Sequence, residues 1–162
     1  MAIWPRRRYW NDVKPPRDAL PDLEHRLAQG LVGDWNMSEG EGLMAFDRAG
    51  MVRGSPTHGT LVNGPTWVAG DRGGTILAFD GATNYVQVPN FDLPSSKGSL
   101  SIWLRPSTDL DADGPSDIYF STRIGSSNYF EVYASPTGSD ADRIVFRWGT
   151  AANQFLRSTL LS

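Results

Sequence analysis

The sequence predicts an all-β protein: an antiparallel β-sandwich of jelly-roll type, preceded by an extended N-terminal arm and one short helix. Three observations carry this. Short apolar runs recur at roughly ten-residue intervals from Leu31 onward. Several of them alternate apolar and polar positions with the period of a half-buried strand. The 17 Gly and 11 Pro are spread through the chain between these runs, as turns require, and are not gathered into a linker.

The bounds agree. A chain of 162 residues is long enough for one domain with a real core. An apolar fraction of 40%, with six Trp, five Tyr and seven Phe, indicates a globular chain and not a disordered one. There is no cysteine, which excludes a disulfide framework and any thiolate metal site. No run approaches the roughly 18–20 apolar residues that cross a bilayer as a helix, so no membrane is expected among the partners. The opening MAIWPRRRYW is basic but lacks a following apolar stretch, so it does not read as a signal peptide. The expectation is a protein assembled in the cytoplasm and released by a route such as lysis.

Residues 1–19 read as an arm, because Pro5, Pro15 and Pro16 oppose both helix and central strand. Five cations against Asp12 give residues 1–17 a charge of +4; with −3 on the whole chain, the remainder carries −7. An acidic body argues against nucleic acid as the main partner, since phosphate binding needs a basic face. Three readings of the arm stay open. It is a plain tail, or it is a docking arm in which Trp4, Tyr9 and Trp10 are apolar anchors and Arg6, Arg7 and Arg8 meet an acidic partner, or, third, it is a nucleic-acid-binding arm.

A short helix is predicted over 20–30. Leu20, Leu23 and Leu27 fall at helical spacing, Asp22 suits the N-cap and Gly30 the C′ position. His25 falls on its polar side. Residues 31–162 then form the β domain, with strand candidates at 31–36, 43–47, 59–62, 76–80, 85–88, 99–106, 117–122, 129–134, 143–148 and 154–160. Leu100, Ile102 and Leu104 share a face in this pattern, as do Phe130 and Val132, and Ile144, Phe146 and Trp148. Turns are expected at Gly64–Pro65 and Asp80–Gly81, with positive φ at Gly73–Gly74. Phe79, Val86, Val88 and Trp103 are candidates for inter-sheet contacts.

The ordered series GLVGDWNMSEGEG (30–42), FDRAG (46–50), HGTLVNGPTWVAGDRGGTILAFDGATNYVQVP (58–89) and SLSIWLRP (99–106) resembles the laminin-G-like jelly-roll domain of the concanavalin A-like lectin/glucanase superfamily. Two departures accompany it. The family pattern continues with further closing strands, and nothing equivalent follows RSTLLS: either the sequence is a truncated form, or the final strands are missing and an edge is left open to pairing with another chain. The loop DRAGMVRGSPTHG also lacks the asparagines that relatives place there, which weakens any metal role inferred for it. More loosely, the WPRRR arm and the HRLAQGLVG junction resemble leaders on jelly-roll proteins of tailed phages.

Catalytic patterns are absent from the sequence. Glucanases of that superfamily place carboxylates alternately on one strand to flank a glycosidic bond. Here Glu39 and Glu41 flank Gly40 in a turn, and Glu131 stands alone. His25 and His58 are the only histidines, no G-x-S-x-G elbow exists, and no phosphate-cradling G-x-x-x-x-G-K-[ST] occurs. His58 reads as a structural residue at a strand start.

A Ca²⁺ site is the one cofactor the residues suggest, and none is required. Asp109, Asp111 and Asp113 followed by Gly114, with Asp117 at the ninth position, match the start of a calcium loop, but Phe120 stands where an EF-hand needs its bidentate Glu. A solvated acidic turn is the competing reading. By resemblance to the family, Asp47 is a second position for a cation. Glycan binding, the other function the family implies, needs exposed aromatic faces; Trp35, Trp67 and Trp148 are present, and each serves equally as packing.

Together these readings lead to the expectation of a non-catalytic surface or decoration protein of a tailed-phage virion. The arm docks on a capsid or tail protein, the sandwich faces outward, and the open edge favours a homo-oligomer. The competing expectations are a carbohydrate-binding adhesion or receptor-binding module, Ca²⁺-dependent or not, and a fragment of a larger secreted protein.

Overall fold

The computed structural model describes residues 19–70, 73–89, 98–105, 117–124, 128–135, 143–149 and 153–157. Within them the chain is mostly β, with three antiparallel sheets and one short α-helix. It divides into two compact units, one ending at Gly98 and one beginning at Ser99. Among the described residues no helix is long and apolar enough to cross a membrane. The arm residues Trp4, Arg6, Arg7, Arg8, Tyr9 and Trp10 lie outside the described residues.

The first unit holds β1 (Met44–Ala45), α1 (Arg48–Arg53), β2 (Gly59–Val62), β3 (Thr66–Ala69), β4 (Thr75–Ala78) and β5 (Tyr85–Gln87). One sheet has the order β1-β2-β5, with Ala45 opposite Gly59 and Leu61 opposite Val86. Its inward face carries Ala45, Gly59 and Leu61, all buried, with Val86 and Val88 half-buried beside them. Gly59 is required there, because a Cβ would lie 2.6 Å from Val86 Cγ1. Its other face shows Met44, Thr60, Tyr85 and Gln87 to solvent. The chain leaves β2 through Asn63 and Gly64, both at positive φ, and enters the β3-β4 hairpin, where Trp67 pairs with Leu77. Gly73 and Gly74 take the expected positive φ in its turn.

The second unit holds β6 (Asp117–Ile124), β7 (Asn128–Ser135), β8 (Arg143–Gly149) and β9 (Asn153–Arg157) in one meander of that order. Alternating aromatic and β-branched residues suit this pleated pairing. Val132 sits opposite Phe146, and Phe120 meets Phe130 edge-on at 6.0 Å between ring centres. A bulge between Ile118 and Phe120 shifts the β6-β7 register. Val132 and Val145 project to opposite faces of the sheet and are both fully buried.

Several expectations are corrected. The helix predicted over 20–30 is a 3₁₀ turn at Arg26–Ala28, built from i→i+3 bonds such as Ala28 N–H to His25 O at 2.8 Å. A segment that short is marginal as an α-helix without packing partners, and the tighter bonds win; Gly30 nevertheless takes its expected left-handed φ. The strand expected at 31–36 is reduced to a single bridge, Trp35 to Asp47. The strand expected at 99–106 is not formed through residue 105. Leu100, Ile102 and Leu104 are exposed and Trp103 is 95% exposed. Alternation alone makes no strand when the backbone groups have no ladder to join. Phe79, also expected inside, is exposed. Two elements were not anticipated, β3 and α1.

Candidate functional site

The densest polar cluster is the corner where β1 gives way to α1. Asp47 is the N-cap of that helix and is fully buried. Its Oδ1 accepts from the N–H of Gly50 at 2.9 Å, the reach-back bond expected of an N-cap, and from the N–H of Asp34 at 3.2 Å. Oδ2 accepts from both the N–H and the hydroxyl of Thr57, each at 3.1 Å. One carboxylate thus ties together three segments of backbone. Gly54, at φ 75°, closes the other end of the helix by donating its N–H to the last carbonyls. Gly50 must lack a side chain, since a Cβ would meet Asp47 Oδ2 at 2.1 Å and the Pro56 backbone at 2.6 Å.

The surrounding groups extend this frame. The N–H of Asp47 donates to His58 Nδ1 at 3.1 Å, which makes that ring nitrogen an acceptor. His58 also meets Phe46 edge-on at 5.1 Å. The N–H of Phe46 donates to Glu39 Oε1 at 2.8 Å, while Glu39 Oε2 is buried without a hydrogen-bond partner. Trp35 Nε1 donates to Thr57 O at 2.9 Å, and Arg53 caps the carbonyls of Leu31 and Val32. In the amide orientation that satisfies both partners, Asn36 donates to Asp34 Oδ1 at 3.1 Å and accepts from Arg48.

Burial opposes ionisation of Asp47, but the N–H groups of Gly50, Thr57 and Asp34 and the Thr57 hydroxyl outweigh it and hold the carboxyl below its ordinary range. At Asp34 burial prevails over the attraction of Arg48, with Asp47 adding repulsion, and the carboxyl is pushed up.

A second cluster lies on one face of the four-stranded sheet. Glu131 is buried on β7 and pairs with Arg147 directly across on β8. Arg147 Nε donates to Glu131 Oε2 at 3.1 Å, with Nη2 on the same oxygen. Ser121 Oγ donates to Oε1 at 3.3 Å, and the guanidinium lies 5.5 Å from the centre of the Tyr133 ring.

A third cluster lies at the surface, with Asp80, Ala82 and Thr83 exposed and Asn84 half-buried. Asp80 accepts from the N–H groups of Ala82, Thr83 and Asn84 and from the Thr83 hydroxyl, all at 2.9 Å. These bonds hold its carboxyl far below the ordinary range. Asn84 Oδ1 accepts from Asp80 N–H, Asn84 Nδ2 donates to Asn63 O at 2.6 Å, and Asn63 Nδ2 donates to Thr83 O at 2.9 Å.

Of the residues singled out from sequence, Asp47 and His58 are brought together, in a frame of hydrogen bonds. Both Asp47 oxygens have two donors each, so a cation there must displace protein donors. Among the described residues no three His, Asp or Glu side chains gather as a ligand set. Asp109, Asp111 and Asp113 lie outside the described residues, and Asp117 is described only as the first backbone position of β6. Trp35 and Trp67 are half-buried, with Nε1 of Trp67 donating to Gly42 O at 3.0 Å. Trp148 is 40% exposed.

Sequence reasoning missed the Glu131–Arg147 pair, Asp34 and the Asn63–Asn84 link. The first was recoverable, because pairing YFEVYA with RIVFRW as neighbouring strands puts Glu131 and Arg147 in phase on one face. No family model matches the chain, and no curated protein and no solved structure is found to be similar to it.

Proposed function

We propose that this chain is a non-catalytic surface or decoration protein of a tailed-phage virion, its β-rich body a laminin-G-like jelly roll presented outward and its basic, aromatic arm docked on a capsid or tail protein. The observation that supports the non-catalytic part is the use to which four of the described acids are put. Asp47 and Asp80 accept from backbone N–H groups of their own loops, Glu39 accepts from Phe46, and Glu131 is committed to Arg147. Side chains that fix corners and register in this way support a body built to hold shape. The arm's +4 charge beside a −7 remainder supports docking through the arm. Deleting residues 1–17 is expected to abolish attachment to particles while leaving the far-ultraviolet circular dichroism of the β body unchanged. Attachment at the undeleted level overturns the anchor.

The exposure of Trp103 (95%) favours a second reading, a carbohydrate-binding module, since an uncovered indole face is what a sugar ring stacks on. A glycan array read with and without EDTA separates the two. A structural protein binds nothing, a lectin binds, and a Ca²⁺-dependent lectin loses its signal with the chelator.

A further inference from the structure

We propose that the Asn63–Gly64 peptide is a site of spontaneous deamidation whose rate is set by the clasp between Asn63 and the Asp80–Asn84 loop. Asn63 is the only asparagine in the sequence followed by glycine. Glycine removes the side chain that otherwise keeps the following N–H away from the asparagine amide. Both residues are exposed, at φ 59° and 81°, and a Cβ on Gly64 would meet nothing within 4 Å, so base and water reach this peptide freely.

The chemistry needs only water. The Gly64 nitrogen, its proton taken by solvent base, attacks Asn63 Cγ. The N–Cγ bond forms, the Cγ–Nδ2 bond breaks, and Nδ2 leaves as ammonia with a proton from solvent. Water then opens the resulting succinimide at one of its two carbonyls, giving aspartate or an isoaspartyl link that routes the main chain through Cγ. The clasp opposes the first step. Nδ2, the leaving nitrogen, is held on Thr83 O at 2.9 Å, and the Asn63 carbonyl is held by Asn84 Nδ2 at 2.6 Å. Cyclisation turns the side chain back toward Gly64, which requires the Nδ2 bond to break. The product cannot restore it, because a carboxylate has no proton to donate to Thr83 O. Modification therefore removes one of the two bonds that tie the corner between β2 and β3 to the loop between β4 and β5, and leaves a new negative charge there.

The test is ageing of the full chain in mildly alkaline buffer, followed by peptide mapping with isoaspartate detection. Three results are expected: Asn63 is the leading modified site, it reacts several-fold more slowly in the folded chain than in urea, and Asn84→Ala raises the folded-state rate roughly fivefold, as loss of about one hydrogen bond allows. A faster reaction at any other asparagine overturns the site. Equal rates at Asn63 in the folded and urea-unfolded wild type overturn the clasp, and this comparison decides the matter even if Asn84→Ala does not fold. A folded Asn84→Ala chain with an unchanged rate also overturns it.

Discussion

Asp47 in the first unit and Glu131 in the second are both buried carboxylates, at 0% and 4% exposure, yet they are satisfied in opposite ways. Asp47 takes neutral donors from Asp34, Gly50 and Thr57, positions that converge because the chain turns around it. Glu131 takes a guanidinium from the adjacent strand, and Ser121 from the other side. The first arrangement fixes a corner locally; the second fixes register, since a slip of one residue puts Arg147 on the wrong face. A dipole-lined site stabilises charge without introducing a second one that also has to be desolvated. The corner is accordingly expected to be the more sensitive of the two to loss of its acid.

The largest effect tests that directly. Asp47→Ala removes the helix cap and leaves buried N–H groups without acceptors, with an expected cost of about 4 kcal/mol. Asp47→Asn keeps the shape but turns an NH₂ toward two donors, at about 2 kcal/mol or more. Denaturant midpoints followed by circular dichroism give both values. If Asp47→Ala costs less than Glu131→Ala, the ranking of the two sites is reversed.

Next comes the ion pair. Glu131→Gln is expected to cost about 2 kcal/mol, less than the roughly 3–5 of a fully buried pair, because the Arg147 side chain keeps 29% of its surface in water. Replacing both partners with Leu and Met is expected to be near neutral, since neither charge is then stranded. A double-mutant cycle on the two positions measures the coupling. Additive single-mutant costs show that the pair fixes nothing.

A smaller effect separates two acids within the corner by pH. Asp34 has a raised folded-state value, so its contribution is fully present below the ordinary 3.8 and is lost as pH rises through the folded value. Asp47 is lowered, so its contribution is present above 3.8 and is lost as pH falls through the folded value. Acidification should therefore first add stability through Asp34 and then remove it through Asp47. Asp34→Asn should remove the gain, leave the later loss, and be neutral or mildly stabilising at pH 7. Midpoints measured across the acid range check this; an unchanged gain in the variant assigns it elsewhere.

Much of the fold was legible in the sequence where side-chain chemistry and backbone demand coincide. Strand runs such as GTLV, YFEVYA and RIVFRW became β2, β7 and β8, and glycines at 64, 73, 74 and 81 took the positive φ expected of turns. SLSIWLRP failed because alternation reports which side chains are apolar and not whether a neighbouring strand exists to pair with. Helix α1 was hidden by its length and its internal Gly50, and its caps, Asp47 and Gly54, emerge only in the structure. The candidate site was legible as residues but not as a cluster. His58 and Asp47 could be named, whereas the convergence of Asp34, Gly50 and Thr57 on one carboxylate depends on a tertiary turn that no spacing encodes. Asp47 entered as a family metal position, and the structure places four protein donors on its carboxylate.

Asp80 supplies the smallest and most discriminating comparison, because it shares its donor type with Asp47 but not its burial. Three N–H groups and a hydroxyl converge on it, as at the corner, yet water competes for every one of them. If neutral donors alone made Asp47 sensitive, Asp80→Asn should destabilise the whole unit. If burial is what makes unsatisfied donors costly, the effect should stay local, because solvent replaces the lost acceptor. The expected outcome is the second: faster amide hydrogen exchange at Ala82, Thr83 and Asn84, with an unchanged denaturant midpoint. A shifted midpoint would show that the loop, through Asn84 and Asn63, holds the corner between β2 and β3 as firmly as Asp47 holds the start of α1.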